Sequence, residues 1–527
     1  SPHIFLHCST IPLPHLIQSD PSPQRNQNSF IIKKQLLYKF LSNRAVKRMD
    51  DKPKSKIDSA TEIHLERTFE LITLIETKSN FIIKSDYPTI DGLALTLVKG
   101  ERCFKLETGL INPVEKPVMY QDDGYGYFKP FELVNEGFRL NIPQGVSKLN
   151  MMFGEGKSDG EITELNSGIN RGRIYYGRAV IPIKQSPNKL PQKYIESGAF
   201  ATGNSNRPLG LVTTKINDNK FYFFDYRFNQ QYYFIVESQT PLKSDNFENQ
   251  VNSILYSYAL LSGFLPRNEI YLFYSETEKL NDNLIFEYRK IQGTVDSGME
   301  VISPDDFRDI ERQKGNQVSR LDSVVKSAIF SNLASLVFND SRLLRALSII
   351  AESNIYPLEI RAATYMVALE TVKNIIIEIN EDKVNPIKDK LISRKLIKEI
   401  KALIEKLNPS VFNNKGAIIS RVEQINQITN TDSIYKVFEL LELQLNNDDK
   451  ECLAKRNDFL HGRVPFESEI LFKHSKELQH ITYKIHFLIT SLILKYAGYS
   501  GFIKNNPKYF DVFVSKSDIK EPLFRKI

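Results

Sequence analysis

The residues best suited to chemistry are the seven at Arg456-Asn457-Asp458-Phe459-Leu460-His461-Gly462. They put a permanent cation, a primary amide and an imidazole within two helical turns, in the part of the chain where histidines gather. Such a set suits metal-free cleavage of RNA. That reaction needs a base to take the proton of a 2′-hydroxyl, an acid to protonate the leaving 5′-oxygen, and a cation to stabilise the charge building on the phosphate. An imidazole, with an ordinary pKa of about 6.5, serves as acid or base, which gives His461 that role. Arg456 offers a planar fork for two phosphate oxygens and stays charged. Asn457 supports them, orienting the ring or the ribose through a hydrogen bond. Gly462 suits a helix end that leaves the imidazole exposed.

The spacing sets a condition. On a continuous helix, residues five apart point about 140° from one another, too far to share one phosphate. Either the helix ends before His461, or a second copy of the motif comes from a partner subunit. The chain holds one copy.

The elements that must position this motif are helical. From Pro304 onward apolar residues recur at three- and four-residue spacing, which predicts helices over Leu321 to Phe338 and Ser341 to Glu352. The next helix starts at Pro357 and runs to about Ile379, with Leu358, Ala362, Met366, Leu369, Val372 or Lys373, Ile376 and Ile379 on its apolar stripe. Helices over Ser393 to Leu407, Ala417 to Ile428 and Ser433 to Leu445 follow. Asp449 is placed as the cap of a short helix ending at Gly462, and Glu467 to Tyr496 forms the last long one. Ahead of this region the period changes. Phe69 to Glu76, Leu93 to Val98, Gly172 to Lys184, Leu209 to Lys215, Lys220 to Arg227, Gln231 to Glu237 and Glu269 to Tyr274 read as strands. One helix, Phe247 to Phe264, lies among them. The expected fold class is α+β, a β-rich N-terminal domain (sandwich or barrel-like) over 61–300 followed by an all-α bundle over 318–505. Residues 506–527 are a C-terminal tail, and 1–60 a basic N-terminal segment.

At this point the residues resemble a known family. Arg456-Asn457-x-x-x-His461 fits the R-[N/D/H]-x3-H signature of the HEPN superfamily, and a long helix follows it as it does there. The likeness covers roughly 320–500. The large β-rich region ahead of it is similar to the architecture of ApeA-like HEPN proteins of bacterial defence systems. The resemblance implies a helical, dimeric domain and a metal-independent endoribonuclease whose two motifs meet across the dimer. Arg456 and His461 would be catalytic and Asn457 supporting, and the protein would be a toxin-like effector of abortive infection in antiviral defence, its N-terminal half awaiting an unknown trigger or ligand. The loose spacing R-x4–6-H arises about once by chance in this composition, whereas the stricter form arises roughly 0.05 times. Two rivals remain: a HEPN module that binds RNA or nucleotides without cutting, and a structural interaction protein whose Arg-His pair merely caps a helix end, where cations are favoured.

Other candidates carry less. Glu359, Arg361, Glu370 and Lys373 lie on the polar side of the 357–379 helix and read as a solvated face; Glu370 and Lys373 could instead face the site as a second layer. His474, His480 and His486 are six apart, spread around their helix, and cannot form one metal site. Gly124–Gly126 and Gly154–Gly156 lack a phosphate-loop continuation and read as turns. Cys452 reads as a small buried residue. The aromatic strands near 174–181 and 221–234 read as sheet core rather than base-stacking platforms.

Composition narrows the class. The net charge of +7 divides unevenly. Residues 1–48 hold seven Lys/Arg against one acid, and residues 357–527 hold 27 against 22, so the stretch between is net acidic. The C-terminal part alone among the folded regions is basic, which permits an RNA partner without requiring one. The three cysteines, Cys8, Cys103 and Cys452, are too scattered for a disulfide framework or a cysteine-based zinc site, and fit a reducing, cytoplasmic setting. No metal and no cofactor is expected. No apolar run is long enough for a membrane span, since Lys484, His486 and Lys495 interrupt Ile481 to Ala497. The first methionine is Met49. Residues 1–48 lack the apolar core of a secretory signal and read as a non-native or disordered lead-in, a basic arm, or an organelle-targeting segment.

Overall fold

Aromatic and β-branched residues dominate both faces of the strands at the heart of this protein, so their sheet must be covered on both sides. A computed structural model shows how. It describes residues 61–527 apart from 87–90, 93, 102, 110–129, 136–137, 147, 153–156, 184–186, 203–204, 461–470 and 513–519. The expectations for 1–60, for Gly124–Gly126 and Gly154–Gly156, and for His461 and Gly462 therefore lie outside the described residues.

The strands run β1 (Thr61–Ile63), β2 (Ser79–Lys84), β3 (Ala94–Lys99), β4 (Phe104–Gly109), β5 (Phe131–Asn135), β6 (Phe138–Ile142), β7 (Lys148–Met152), β8 (Lys157–Ile162) and β9 (Glu164–Asn166). Then come β10 (Ile174–Ile183), β11 (Gly198–Thr202), β12 (Ser205–Ile216), β13 (Asn219–Phe228), β14 (Gln231–Ser238), β15 (Leu242–Lys243), β16 (Phe264–Leu265), β17 (Glu269–Ser275) and β18 (Ile285–Lys290). The long strand β10 is the hub, pairing antiparallel with β14 on one side and β17 on the other. From β17 the ladder continues through β18, β9, β6, β5, β2, β3, β4 and β8 to β7. The pair β1–β11 is parallel, which makes the sheet mixed.

Side-chain alternation along the central strands feeds two cores. Phe221 and Phe223 of β13, Phe234 and Val236 of β14, and Leu272 and Tyr274 of β17 point to one core. Their neighbours Tyr222, Phe224, Tyr233, Ile235, Tyr271 and Phe273 point to the other. That second core also holds Phe81, Leu97, Phe104, Leu133, Leu140 and Ile162, so strands β2–β8 fold over the central ones. The aromatic strands are thus buried sheet core, as the sequence suggests.

One expected strand is a helix. Glu66–Glu76 (α1) buries Thr68, Phe69, Ile72 and Ile75 on one stripe, and the Phe69 ring sits 4.7 Å from Phe228 and 5.0 Å from Tyr233. The partial alternation of Phe69, Leu71, Thr73 and Ile75 hides a three-and-four spacing that wins because α1 packs against the sheet rather than joining it. On the opposite side of the sheet lies α2 (Ser244–Ser262), which ends at Gly263 in the left-handed conformation at φ +67°. Its Phe247 ring rests on Gly177 of β10, where a Cβ would meet ring atoms at 2.8 Å.

The first core continues without a break into the helices α3 (Ser327–Asn339), α4 (Ser341–Glu352) and α5 (Leu358–Ile379). The expected single helix over Leu321 to Phe338 is split. A short turn of helix at Arg320–Ser323 is followed by a parallel bridge from Val325 to Ile195, and α3 begins only at Ser327. Ser331 of α3 donates to or accepts from Thr214 and accepts from the Lys215 amide, which ties the helices to β12. Beyond α5 lie α6 (Lys390–Lys406), α7 (Asn430–Leu440), α8 (Asn447–Ala454), α9 (Arg456–Leu460) and α10 (Leu471–Tyr496). The chain then returns. Strands Phe502–Lys504 and Phe524–Lys526 pair antiparallel, so the ends of the C-terminal segment are built into the fold. Ala60–Ile527 form one compact unit. Among the described residues no helix is long and apolar enough to cross a membrane.

Candidate functional site

The helix that carries the motif is separate from its predecessor, which has its own cap. Asn446 caps α8, its side chain accepting from the Asp449 amide at 2.8 Å, while the Asp449 carboxylate accepts from the Asn446 amide at 3.0 Å. This reciprocal box makes Asn446 the cap and Asp449 the third helical residue, so the cap lies three residues before the position expected for it. The α8 helix ends at Ala454, and α9 starts afresh at Arg456. The expected continuous helix to Gly462 is therefore two helices as far as Leu460.

Arg456 is buried, 6% exposed, and turned toward α5. Its Nη1 lies 3.1 Å from Glu370 Oε1, and Lys373 Nζ donates to Glu370 Oε2 at 2.6 Å. Arg456 Nη2 also donates to Asn457 Oδ1 at 3.2 Å. Four expected site residues, Arg456, Asn457, Glu370 and Lys373, thus meet. Glu370 and Lys373 are not a solvated face: Lys373 is only 2% exposed, and Glu370 contacts both it and Arg456 where α5 meets α9.

A second polar cluster, absent from the sequence reading, lies one turn earlier. Lys484 of α10 is fully buried and contacts Asp448 Oδ2 at 2.7 Å, Asp449 Oδ1 at 3.2 Å and Glu521 Oε1 at 2.7 Å. Arg525 grips Asp449 with both terminal nitrogens, at 3.0 and 2.9 Å. His480 Nε2 lies 2.9 Å from Asp448 Oδ1. Burial alone would raise the carboxyl pKa values. The His480 and Lys484 contacts outweigh it at Asp448, and Arg525 and Lys484 outweigh it at Asp449, so both stay below the usual range. The signal that could have revealed this cluster is a lysine inside an otherwise apolar helical face, which requires buried counter-charges.

The two other histidines expected on α10 differ. The side chain of His474 lies outside the described residues. His486 is buried against Tyr365, with ring centroids 5.5 Å apart, and burial together with the Arg361 charge pushes its pKa down to about 3. Burial pushes the Cys452 thiol up to about 12, which suits a packed thiol and not a nucleophile. A cleft of about 810 Å³ opens beside the second cluster, lined by Asp448, Lys476, His480, Tyr483, Phe510 and Lys520. Arg456 does not line it.

No family model, no curated protein and no solved structure matches this chain. The geometry alone therefore bears on what the site does.

In chemical terms, the first cluster stores two cations on one carboxylate. The second cluster is a closed network of balanced charge whose outer edge, Asp448 and His480, meets the cleft.

Proposed function

We propose that this chain is a metal-independent endoribonuclease of HEPN type that works as a homodimer, a toxin-like effector of antiviral defence acting in the cytoplasm. The observation that supports it is the bridge of Glu370 between Arg456 and Lys373. In the resting protein Glu370 occupies the two cations. In the active one an RNA phosphate exchanges with it, and Arg456 and Lys373 stabilise the charge of the pentacoordinate phosphorus. His461 takes the 2′-hydroxyl proton, the 2′-oxygen bonds to phosphorus, and the 5′-oxygen leaves with a proton from the partner subunit's imidazole. The products are a 2′,3′-cyclic phosphate and a 5′-hydroxyl. The β-rich half serves as the sensing part, and its trigger releases the Glu370 contact.

Uncovered apolar surface supports the second copy. Ile360, Val367 and Ile379 of α5 are exposed, as are Ile392, Leu396 and Leu403 of α6. The three α6 residues fall within about 40° of arc on a helical wheel, a stripe that a monomer leaves in water.

A second reading rests on the burial of Arg456: a HEPN-like module without cleavage, in which Arg456 only ties α9 to α5. Expression in a bacterial host separates them. Wild type arrests growth, or cleaves RNA once triggered, and Arg456→Ala and His461→Ala each abolish this while the purified variants keep their helical content. Growth arrest by both variants, or unfolding of Arg456→Ala alone with no arrest by wild type, supports the second reading.

A further inference from the structure

We infer that Asp448, Cys452 and His480 form a zinc site at the edge of the cleft beside α8. Asp448 and Cys452 are four apart on α8 and so share one face, and His480 reaches them from α10. One ligand atom from each, a carboxylate oxygen, Sγ and an imidazole nitrogen, lie within 4.8 Å of one another. In a tetrahedral zinc site neighbouring ligand atoms are about 3.3–3.7 Å apart, so side-chain shifts of about 1 Å complete the geometry. The 2.9 Å between His480 Nε2 and Asp448 Oδ1 is already near that edge length.

The surroundings fit a resident divalent ion. His480 Nε2 lies 2.9 Å from Asp448 Oδ1 and 3.1 Å from Oδ2, and buried Lys484 holds Oδ2 at 2.7 Å, the kind of outer hydrogen bond that fixes a ligating carboxylate. Three carboxylates, Asp448, Asp449 and Glu521, face Lys484 and Arg525, leaving one net negative charge. A divalent ion bound through a thiolate adds one positive charge and brings the cluster to neutrality. The neighbouring acidic set of Asp448, Asp449 and Glu521 has no such room, because Lys484 and Arg525 already fill it. The Cys452 thiol is free of any disulfide and only 3% exposed, so it faces this cluster rather than solvent.

Mixed thiolate, imidazole and carboxylate ligands select zinc over calcium or magnesium, which prefer all-oxygen shells. On binding, His480 takes the tautomer protonated at Nδ1, its Nε2 lone pair meets the ion in place of the Asp448 hydrogen bond, and the Cys452 thiol proton goes to solvent. Three protein ligands leave the fourth position to water from the cleft, where Asp448 and His480 are lining residues. The scatter of cysteines along the sequence excludes only multi-cysteine sets; one cysteine joined by residues from two helices escapes that test.

The site stands apart from the ribonuclease reading, so its test measures binding. Full-length protein is stripped with chelator, then titrated with zinc chloride by calorimetry and with cobalt(II) by absorbance. The expected result is one zinc per chain, held at least 10-fold tighter than by Cys452→Ser or Asp448→Asn, with a thiolate-to-cobalt band that Cys452→Ser lacks. Circular dichroism confirms that the variants fold, and His480→Gln supplies a third variant if one does not. Zinc uptake equal in wild type and folded variants, or no uptake, overturns the assignment.

Discussion

The Arg456 guanidinium and the Glu370 carboxylate meet 3.1 Å apart, with Lys373 on the carboxylate's other oxygen at 2.6 Å. Residues from a motif helix and from the middle of α5 thus share one buried charge. Glu370 bridges two cations that have little water around them, and any phosphate that reaches them must displace it.

Glu370→Gln therefore removes the carboxylate that Arg456 and Lys373 share. Removing one partner from a buried ion pair costs about 3–5 kcal/mol, and the partial exposure of Glu370 puts this variant at about 3 kcal/mol. Urea denaturation reads the loss. On the proposed reading an RNA phosphate takes the place of that carboxylate, so a short RNA should raise the midpoint of Glu370→Gln more than that of wild type. An equal rise in both proteins would mean that RNA does not reach these cations.

His486 gives a pH dependence of definite sign. Its folded pKa is pushed down to about 3, so below about pH 6.5 the unfolded chain takes up a proton that the folded chain refuses. Stability contributed by the neutral ring is complete above pH 6.5 and falls by about 1.4 kcal/mol per pH unit between about pH 6 and pH 3. His486→Phe, which keeps an aromatic ring against Tyr365, should flatten the difference in urea midpoint between about pH 7 and about pH 5. A difference unchanged by the substitution assigns the slope to other groups.

Lys484→Met removes the buried cation from Asp448, Asp449 and Glu521. The expected cost is about 3–5 kcal/mol at neutral pH. The sign of the acid dependence should also turn. In wild type Asp448, Asp449 and Glu521 are held below the usual carboxylate range, so their contribution persists above that range and fades as pH falls through it. In the variant the crowded carboxylates prefer protons, so stability rises as pH falls from about 7 to about 5. Thermal denaturation at the two pH values distinguishes the cases.

What was legible in the sequence follows the range of the interactions. Helix Ser341–Glu352 matches its expected limits, because Asp340 caps it locally, its carboxylate accepting from the Arg342 amide, and its apolar spacing is regular. Strands β10, β13, β14 and β17 were legible from β-branched and aromatic runs alone. The strands from β4 to β9 were not, since several are short and carry few apolar residues. Lys373 looked solvated because its partner Glu370 is answered in turn by Arg456, far along the chain. The same holds for Lys484, whose counter-charges come from α8 and from Glu521. Periodicity reports which face is buried, but a buried charge pair depends on tertiary neighbours that no local pattern encodes.

The most direct test of the account is cleavage of an end-labelled RNA by the purified protein in the presence of EDTA, with product ends identified. Wild type or its Glu370→Gln form should yield 2′,3′-cyclic phosphate and 5′-hydroxyl ends, and Arg456→Ala and His461→Ala should each yield none. Cys452→Ser, carried alongside, separates loss of cleavage from loss of a bound ion. RNA left intact by both wild type and Glu370→Gln, or cut equally by the Arg456 and His461 variants, would contradict it.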